Sequence, residues 1–327
     1  MLGVLLVIVV TAHLLAVGWA VAGPFIGLWF AWQQRRRGNP VSGVFGKRVL
    51  GLSLVALLAA TVLGGAALGL LWIAHRHPYF DAAAQVPPRR YWFGLVELVF
   101  SSICLAAAWK TWPTESTPES AARFWIRWCL ILLAATNLTY HFPSLFAVVG
   151  VYCTRAELWG TGLPFTKMLV DPEVFARTLH HLLASFAIAG STLAYLTRPS
   201  ARAGLPDVAR GRAAAWGGRI ALTAVAGQLL SGTHVLIEMP AASRDRLLGG
   251  DMIATVAFAA SLMATVALLH TLAIVALGHA GQRQLTTAVV LVVLVVLLMV
   301  AVRHRTRQFF DQATNSRQMG VAYGHDP

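Results

Sequence analysis

Apolar runs of about twenty residues or more recur eight times along the 327-residue chain, separated by short polar segments. A bilayer core about 30 Å thick is crossed by close to twenty helical residues at a 1.5 Å rise each, so runs of this length read as spanning helices. The other spanning architecture, a closed barrel, needs strands of about ten residues with alternating polarity. No such alternation is present. The expected fold class is all-α: a polytopic transmembrane helix bundle of about eight helices. The runs fall at residues 2–32, 49–75, 91–109, 122–150, 174–197, 217–238, 252–279 and 285–302. Charged residues make up only 12% of the chain and mean hydropathy is +0.66. An average soluble domain carries roughly twice that share of charge.

The segments 76–90, 110–120 and 198–212 read as breaks. Residues 1–303 are expected to form the bundle and 304–327 a polar C-terminal tail, with no repeat of fixed period. The net charge of +13 is spread over helix ends and loops instead of one face, which suits lipid headgroups and excludes nucleic acid as the expected partner. Cys104, Cys129 and Cys153 show no CxxC spacing and set neither a disulfide frame nor a zinc site. The first run is too long for a signal peptide and passes straight into Arg35, Arg36 and Arg37, so it reads as a retained helix. Loops after odd-numbered spans hold 14 Lys and Arg against 12 on the other side with the tail included. The positive-inside rule then puts both termini outside, in a multi-pass protein of a bacterial-type inner (cytoplasmic) membrane. Asn137-Leu138-Thr139 matches a glycosylation acceptor but lies mid-span, where that reading fails.

Ionisable side chains in lipid are costly and tend to be functional. His13, Glu97, His141, His181 and His234 lie within the expected spans, and Met252 begins one. That topology places them in the outer or central part of the membrane, with His270 alone deep in the inner half. Two imidazoles, or an imidazole and a thioether, hold a low-spin haem iron, whereas a carboxylate or an open position suits a high-spin haem. Neutral imidazoles also avoid placing charge in hydrocarbon. His13, His181, His141, His234 and Met252 are therefore candidate haem-binding residues. Glu97 is a candidate catalytic residue, as an iron ligand or a proton carrier. The plainer role for any intramembrane histidine is a hydrogen bond between helices. His180 points about 100° away from its neighbour His181 and cannot serve the same iron. His75, His77, His279, His304 and His325 lie at ends or in the tail, and Met263 and Met299 read as packing or lipid-facing residues.

These residues resemble subunit I of the cytochrome bd quinol oxidases. That family has a haem-ligating His in its first helix, then an aromatic-Gly-Lys leading into the second; here stand His13 and Phe45-Gly46-Lys47, followed by a small-residue run through Thr61 and Gly64. Its fourth helix carries Asn-Leu-Ser, matched by Asn137-Leu138-Thr139. Its fifth follows Asn-Pro and has a haem-ligating His with Ala and Ser three and four positions on, matched by Asp171-Pro172 and His181 with Ala184 and Ser185. The resemblance spans roughly residues 8–275 and implies haem b at more than one site, with haem d or another second haem type open. By it, His13 would hold a high-spin haem and His181 would pair with Met252. It also implies a second integral membrane subunit and an electron donor that is quinol or a cytochrome c-type protein.

The chain departs from that family in three places. About a dozen residues, Met239 to Gly250, replace the long quinol-binding loop; a single Glu97 stands for two glutamates; and no Arg closely precedes Met252. For the missing Arg, Arg244 and Arg246 are the nearby substitutes. Three functions are weighed on this footing. The first is a bd-like haem subunit passing electrons from an outer-side donor to a haem site able to reduce oxygen. The second is a non-catalytic haem relay or anchor subunit of a respiratory complex, and the third a proton-coupled transporter without haem.

Overall fold

The computed structural model describes residues 1–38, 40–113, 119–198 and 207–322. Eleven α-helices and no strands occur among them: α1 (Leu2–Arg37), α2 (Pro40–Ile73), α3 (His77–Ala84), α4 (Pro88–Lys110), α5 (Ala121–Tyr152), α6 (Phe165–Leu169), α7 (Pro172–Leu196), α8 (Asp207–Glu238), α9 (Ala241–Asp245), α10 (Met252–Ala276) and α11 (Gln282–Ala322). All but α3, α6 and α9 are long and apolar enough to cross a membrane, which gives eight candidate spans as expected. The three short helices lie in connections on the face that carries Met1, called here the amino-terminal face.

The helices outrun the apolar runs that mark them. α2 begins at Pro40 rather than near 49, α8 at Asp207 rather than near 217, and α11 continues past 302 to Ala322. Hydropathy locates the part of a helix suited to lipid, but the backbone ladder continues into basic ends such as Lys47-Arg48, whose long stems let the charge reach the headgroups. The 76–90 segment is not wholly a break either, since it holds α3. Pro24 and Pro143 sit inside continuous helices.

Two four-helix units share the work of burial. α1, α2, α4 and α5 enclose a core in which Ala20, Leu57, Leu105, Ile131 and Ala135 meet. α7, α8, α10 and α11 enclose another, around Ala187, Val225, Leu268, Leu272 and Ala288. The packing partners repeat: α1–α2, α2–α4, α4–α5 and α5–α1 in one unit, α7–α8, α8–α10, α10–α11 and α11–α7 in the other. Between the units α1 meets α7, and the remaining cross-contacts α1–α11 and α5–α7 exchange roles. This is the arrangement of two units related by a half-turn about an axis running between α1 and α7.

Lipid tails are as apolar as Leu, so helices in a membrane associate through close packing more than through expulsion of water. α7 and α8 show this at Gly190 and Gly217. A Cβ on Gly190 would stand 2.7 Å from the Gly217 carbonyl oxygen, and one on Gly217 would stand 2.6 Å from the Gly190 carbonyl oxygen. Backbone touches backbone there, and no side chain can yield. Caps fix two other entries. Asp171 precedes Pro172 and accepts from the amides of Glu173 and Val174 at 2.9 and 3.4 Å, while Asp251 accepts from Ile253 and Ala254 at 3.0 and 3.1 Å. Asp251 also takes the Arg305 Nε–H at 3.0 Å, tying the start of α10 to α11.

Gly217→Val should therefore destabilise the chain by about 1–3 kcal/mol, the usual cost of overpacking, read as a lower thermal midpoint in detergent. For Asp251 the amide of Ala254, then Arg305, hold the carboxyl below its ordinary range against a smaller opposing effect of burial. A depressed folded pKa means that the stabilisation is complete above the unfolded value of about 3.9 and disappears as pH falls through the folded one. The thermal midpoint of Asp251→Ala should lie below that of the parent at neutral pH and converge with it below about pH 4.

Candidate functional site

Side-chain contacts fix how far along each helix its neighbours stand. A Cβ on Gly18 of α1 would lie 3.4 Å from the Ser185 Cα of α7 and 2.6 Å from Ile188, and the two helices run parallel. His13, five residues before Gly18, is therefore level with His181. On α2, Gly51 faces Trp109 of α4 and Gly46 faces Trp112. Counting equal rise along these antiparallel helices brings Gly64 level with residue 96, beside Glu97. Gly64 is also where the His13 ring lies, with Cε1 2.9 Å from the position of a Cβ. On α8 Gly232 faces His180, and Ser261 of α10 donates to the Met299 sulfur of α11 at 3.4 Å. Gly218 of α8 faces Val275 of α10, so the same counting sets Ser261 and Met299 close to the depth of His181.

One layer thus holds His13, Glu97, His181 and Met299, and their bonding differs sharply. His13 engages the Ala60 carbonyl through Nδ1 at 2.9 Å. This arrangement makes Nδ1 the protonated nitrogen and leaves Nε2 as the free base, which is how metal-binding imidazoles are commonly oriented. Gly64 provides the clearance. His181 is half-buried and has no side-chain hydrogen bond among the described residues, with His13, His180 and Arg303 near enough to act on it electrostatically. Its neighbour His180 turns to α8 and meets the Ser231 hydroxyl through Nδ1 at 3.1 Å.

Glu97 and His141 form a separate pair between α4 and α5. The His141 Nδ1 stands 3.1 Å from the Glu97 Oε2, in close contact without the alignment of a full hydrogen bond, and the other ring nitrogen meets the Arg90 carbonyl at 3.2 Å. One ring nitrogen of His141 thus meets a backbone carbonyl and the other faces the Glu97 carboxylate. The structure brings Glu97 to His141, not to His13. His234 is 41% exposed and stands 3.6 Å from Glu238 of its own helix. Met252 is the first residue of α10 and 78% exposed. It lies nine residues before Ser261, about 14 Å nearer the amino-terminal face, and so is not brought to His181.

The thioether that does reach the His181 depth is Met299, which sequence reading had placed among packing residues. Its signal was present in the spacing: Leu285, Ala288, Val292 and Val296 form the inward stripe of α11, and Met299 and Arg303 continue it. Those two read as lipid-facing or terminal only while the span is taken to end at 302. At the opposite face, an apolar groove of about 590 Å³ lies between Phe45, Val49, Trp109 and Leu196. It takes in part of the Phe45-Gly46-Lys47 sequence but lies four to five helical turns from Gly64 and the histidines.

No protein-family model matches the chain, and no curated protein matches it in sequence. Among solved structures, the bd oxidase from Geobacillus thermodenitrificans is similar, with a TM-score of 0.66, 15% identity and coverage of 95% of this chain and 86% of that one. At this identity the likeness is one of fold: the chain has the helix arrangement of a bd oxidase chain.

Proposed function

We propose that the chain is a haem b-binding electron-carrying subunit of a bd-type respiratory complex in a bacterial cytoplasmic membrane. The observation that carries this reading is the pair His13 and His181: two imidazoles at one depth on adjacent helices, one with Nε2 freed by its backbone bond and the other with no hydrogen-bond partner among the described residues. An imidazole within a membrane bundle that has no partner forgoes a hydrogen bond in a medium that offers no substitute, which is costly unless the ring serves a ligand. Haem bound there supplies an iron centre that takes up and releases one electron. His181 and Met299 would hold one such group, and His13 would hold a second. Helices α1 and α7 hold both rings in place through the Gly18 contact.

The amino-terminal face is the outer one in this reading. Arg155, Arg177, Arg303 and Arg307 engage protein groups or the bundle interior instead of headgroups. Setting them aside widens the excess of basic residues on the opposite face, which the positive-inside rule then assigns to the cytoplasm. The donor, quinol or a cytochrome c-type protein, would meet the amino-terminal face, and a second integral membrane subunit would complete the complex.

Oxygen reduction at His13 is the second reading. It draws on the free Nε2 of His13, but Glu97, its expected companion, is held by His141. The relay role accords better with that pairing and with the short α8–α10 connection. The transporter reading expects broken helices at mid-depth, whereas α1 and α5 run unbroken past their prolines.

Substitutions separate these roles. His181→Ala and Met299→Ala should each abolish the low-spin component of the reduced-minus-oxidised spectrum, whereas Met252→Ala should leave it intact. Loss of that component in Met252→Ala but not in Met299→Ala would reverse the ligand assignment. His13→Ala should remove a different component, and an unchanged spectrum would remove His13 from the site.

A further inference from the structure

Four arginines meet two carboxylates where α5, α7 and α11 approach the amino-terminal face. Glu173, whose side chain is 0% exposed, accepts from Arg177 at 2.5 and 2.9 Å and lies 2.7 Å from Arg155. Asp171 accepts from Arg155 at 2.9 Å. Both acids are thereby committed. Arg303 and Arg307 have no carboxylate within ion-pair distance among the described residues. Arg307 donates to the Gly150 carbonyl at 2.9 Å, and Arg303 lies beside the same glycine, its guanidinium 3.1 Å from where a Cβ would stand. The two repel each other, and Arg177 repels Arg303.

Two uncompensated guanidinium groups so placed are costly, and the cost falls when an anion joins them. Arg303 keeps open side-chain surface, so an anion can reach it. The sequence spacing says what that surface adjoins. Arg177 lies four residues from His181 on α7, and Arg303 four residues from Met299 on α11. The helices are antiparallel, so each arginine stands about 6 Å, one turn, nearer the amino-terminal face than the candidate ligand on its own helix.

We propose that Arg303 and Arg307, flanked by Arg177, bind the paired carboxylates of the haem seated at His181 and so turn its carboxylate edge toward the amino-terminal face. This rests on the haem reading above. It also replaces Arg244 and Arg246 as the expected carboxylate partners: Arg244 is occupied with the Ile237 carbonyl at 3.2 Å in the α8–α10 connection. The phosphate of an anionic lipid offers similar chemistry and is the rival source of the anion.

The test uses the full chain in detergent, produced under haem limitation and titrated with protohaem IX and with its dimethyl ester, whose carboxylates are masked. The parent should bind protohaem about tenfold more tightly than the ester, the scale of a charge-assisted hydrogen bond. The double variant Arg303→Gln/Arg307→Gln should lose that preference, and Arg303→Lys/Arg307→Lys should keep most of it. Haem-free Arg303→Gln should melt no lower than the haem-free parent, because it relieves repulsion; a purely structural arginine would lower the midpoint. Equal binding of both haems by the parent, with the His181-dependent band intact, would overturn the carboxylate assignment and leave the haem reading standing. Uptake of neither haem would overturn both, and co-purifying anionic phospholipid that is lost from the double variant would then assign the cluster to lipid phosphate.

Discussion

A polar side chain in the middle of a membrane bundle must find a partner among its neighbours, because the surrounding hydrocarbon supplies none. Most of this chain obeys that constraint locally. Serines and threonines such as Thr61, Ser185 and Thr271 return their hydroxyls to the carbonyl one turn back, and Glu97 stands against His141. Others go without, Trp19, Ser101 and Ser191 among them, and four residues bear on the site. Among the described residues His181 has no side-chain hydrogen bond, His13 has one nitrogen held and the other open, and Arg303 and Arg307 have no carboxylate within ion-pair distance. These four gather in one part of the bundle, where α1, α5, α7 and α11 meet. Together they are the residues on which the haem proposal rests.

The two-unit architecture places them there. α1 and α7 are the equivalent helices of the two units and run side by side, so a histidine at a similar position on each arrives at the same depth. Glycines set the approach: Gly18 lets α1 settle on α7, and Gly64 gives the His13 ring its place against α2. α11 closes the second unit and brings Met299 and Arg303 to the seam with α1 and α7. Electrostatics follows the same geometry, since Arg155 and Arg177, which would count as loop charges by sequence, pair with Asp171 and Glu173.

The number of spans and the all-helical class were legible in the sequence because hydropathy over twenty residues reports directly on what lipid accepts. His13 and His181 stood out as candidates in the sequence, as polar residues in apolar runs with a family resemblance behind them. Met299 was not, because a methionine in a run of Val and Leu carries no polarity signal. Its role rests on the register between α10 and α11, which only the Ser261 contact reveals. Met252 drew attention by its place at the start of a span, yet the sequence carries no measure of how deep that start lies. His141 could not be told from His181 by depth, since what separates them is that the ring of His141 meets the Arg90 carbonyl and the Glu97 carboxylate. The half-turn relation of the two units left no period in the sequence, because packing partners can repeat while side chains diverge.

Whether the two histidines hold haem is read from a reduced-minus-oxidised absorption spectrum of the purified full chain, repeated under carbon monoxide. A low-spin b-type band that carbon monoxide leaves unchanged is expected from a haem that His181 and Met299 would both hold. A further band that carbon monoxide shifts would place an open iron at His13 and favour oxygen chemistry there. A protein prepared with sufficient haem that shows no haem bands at all would contradict the account.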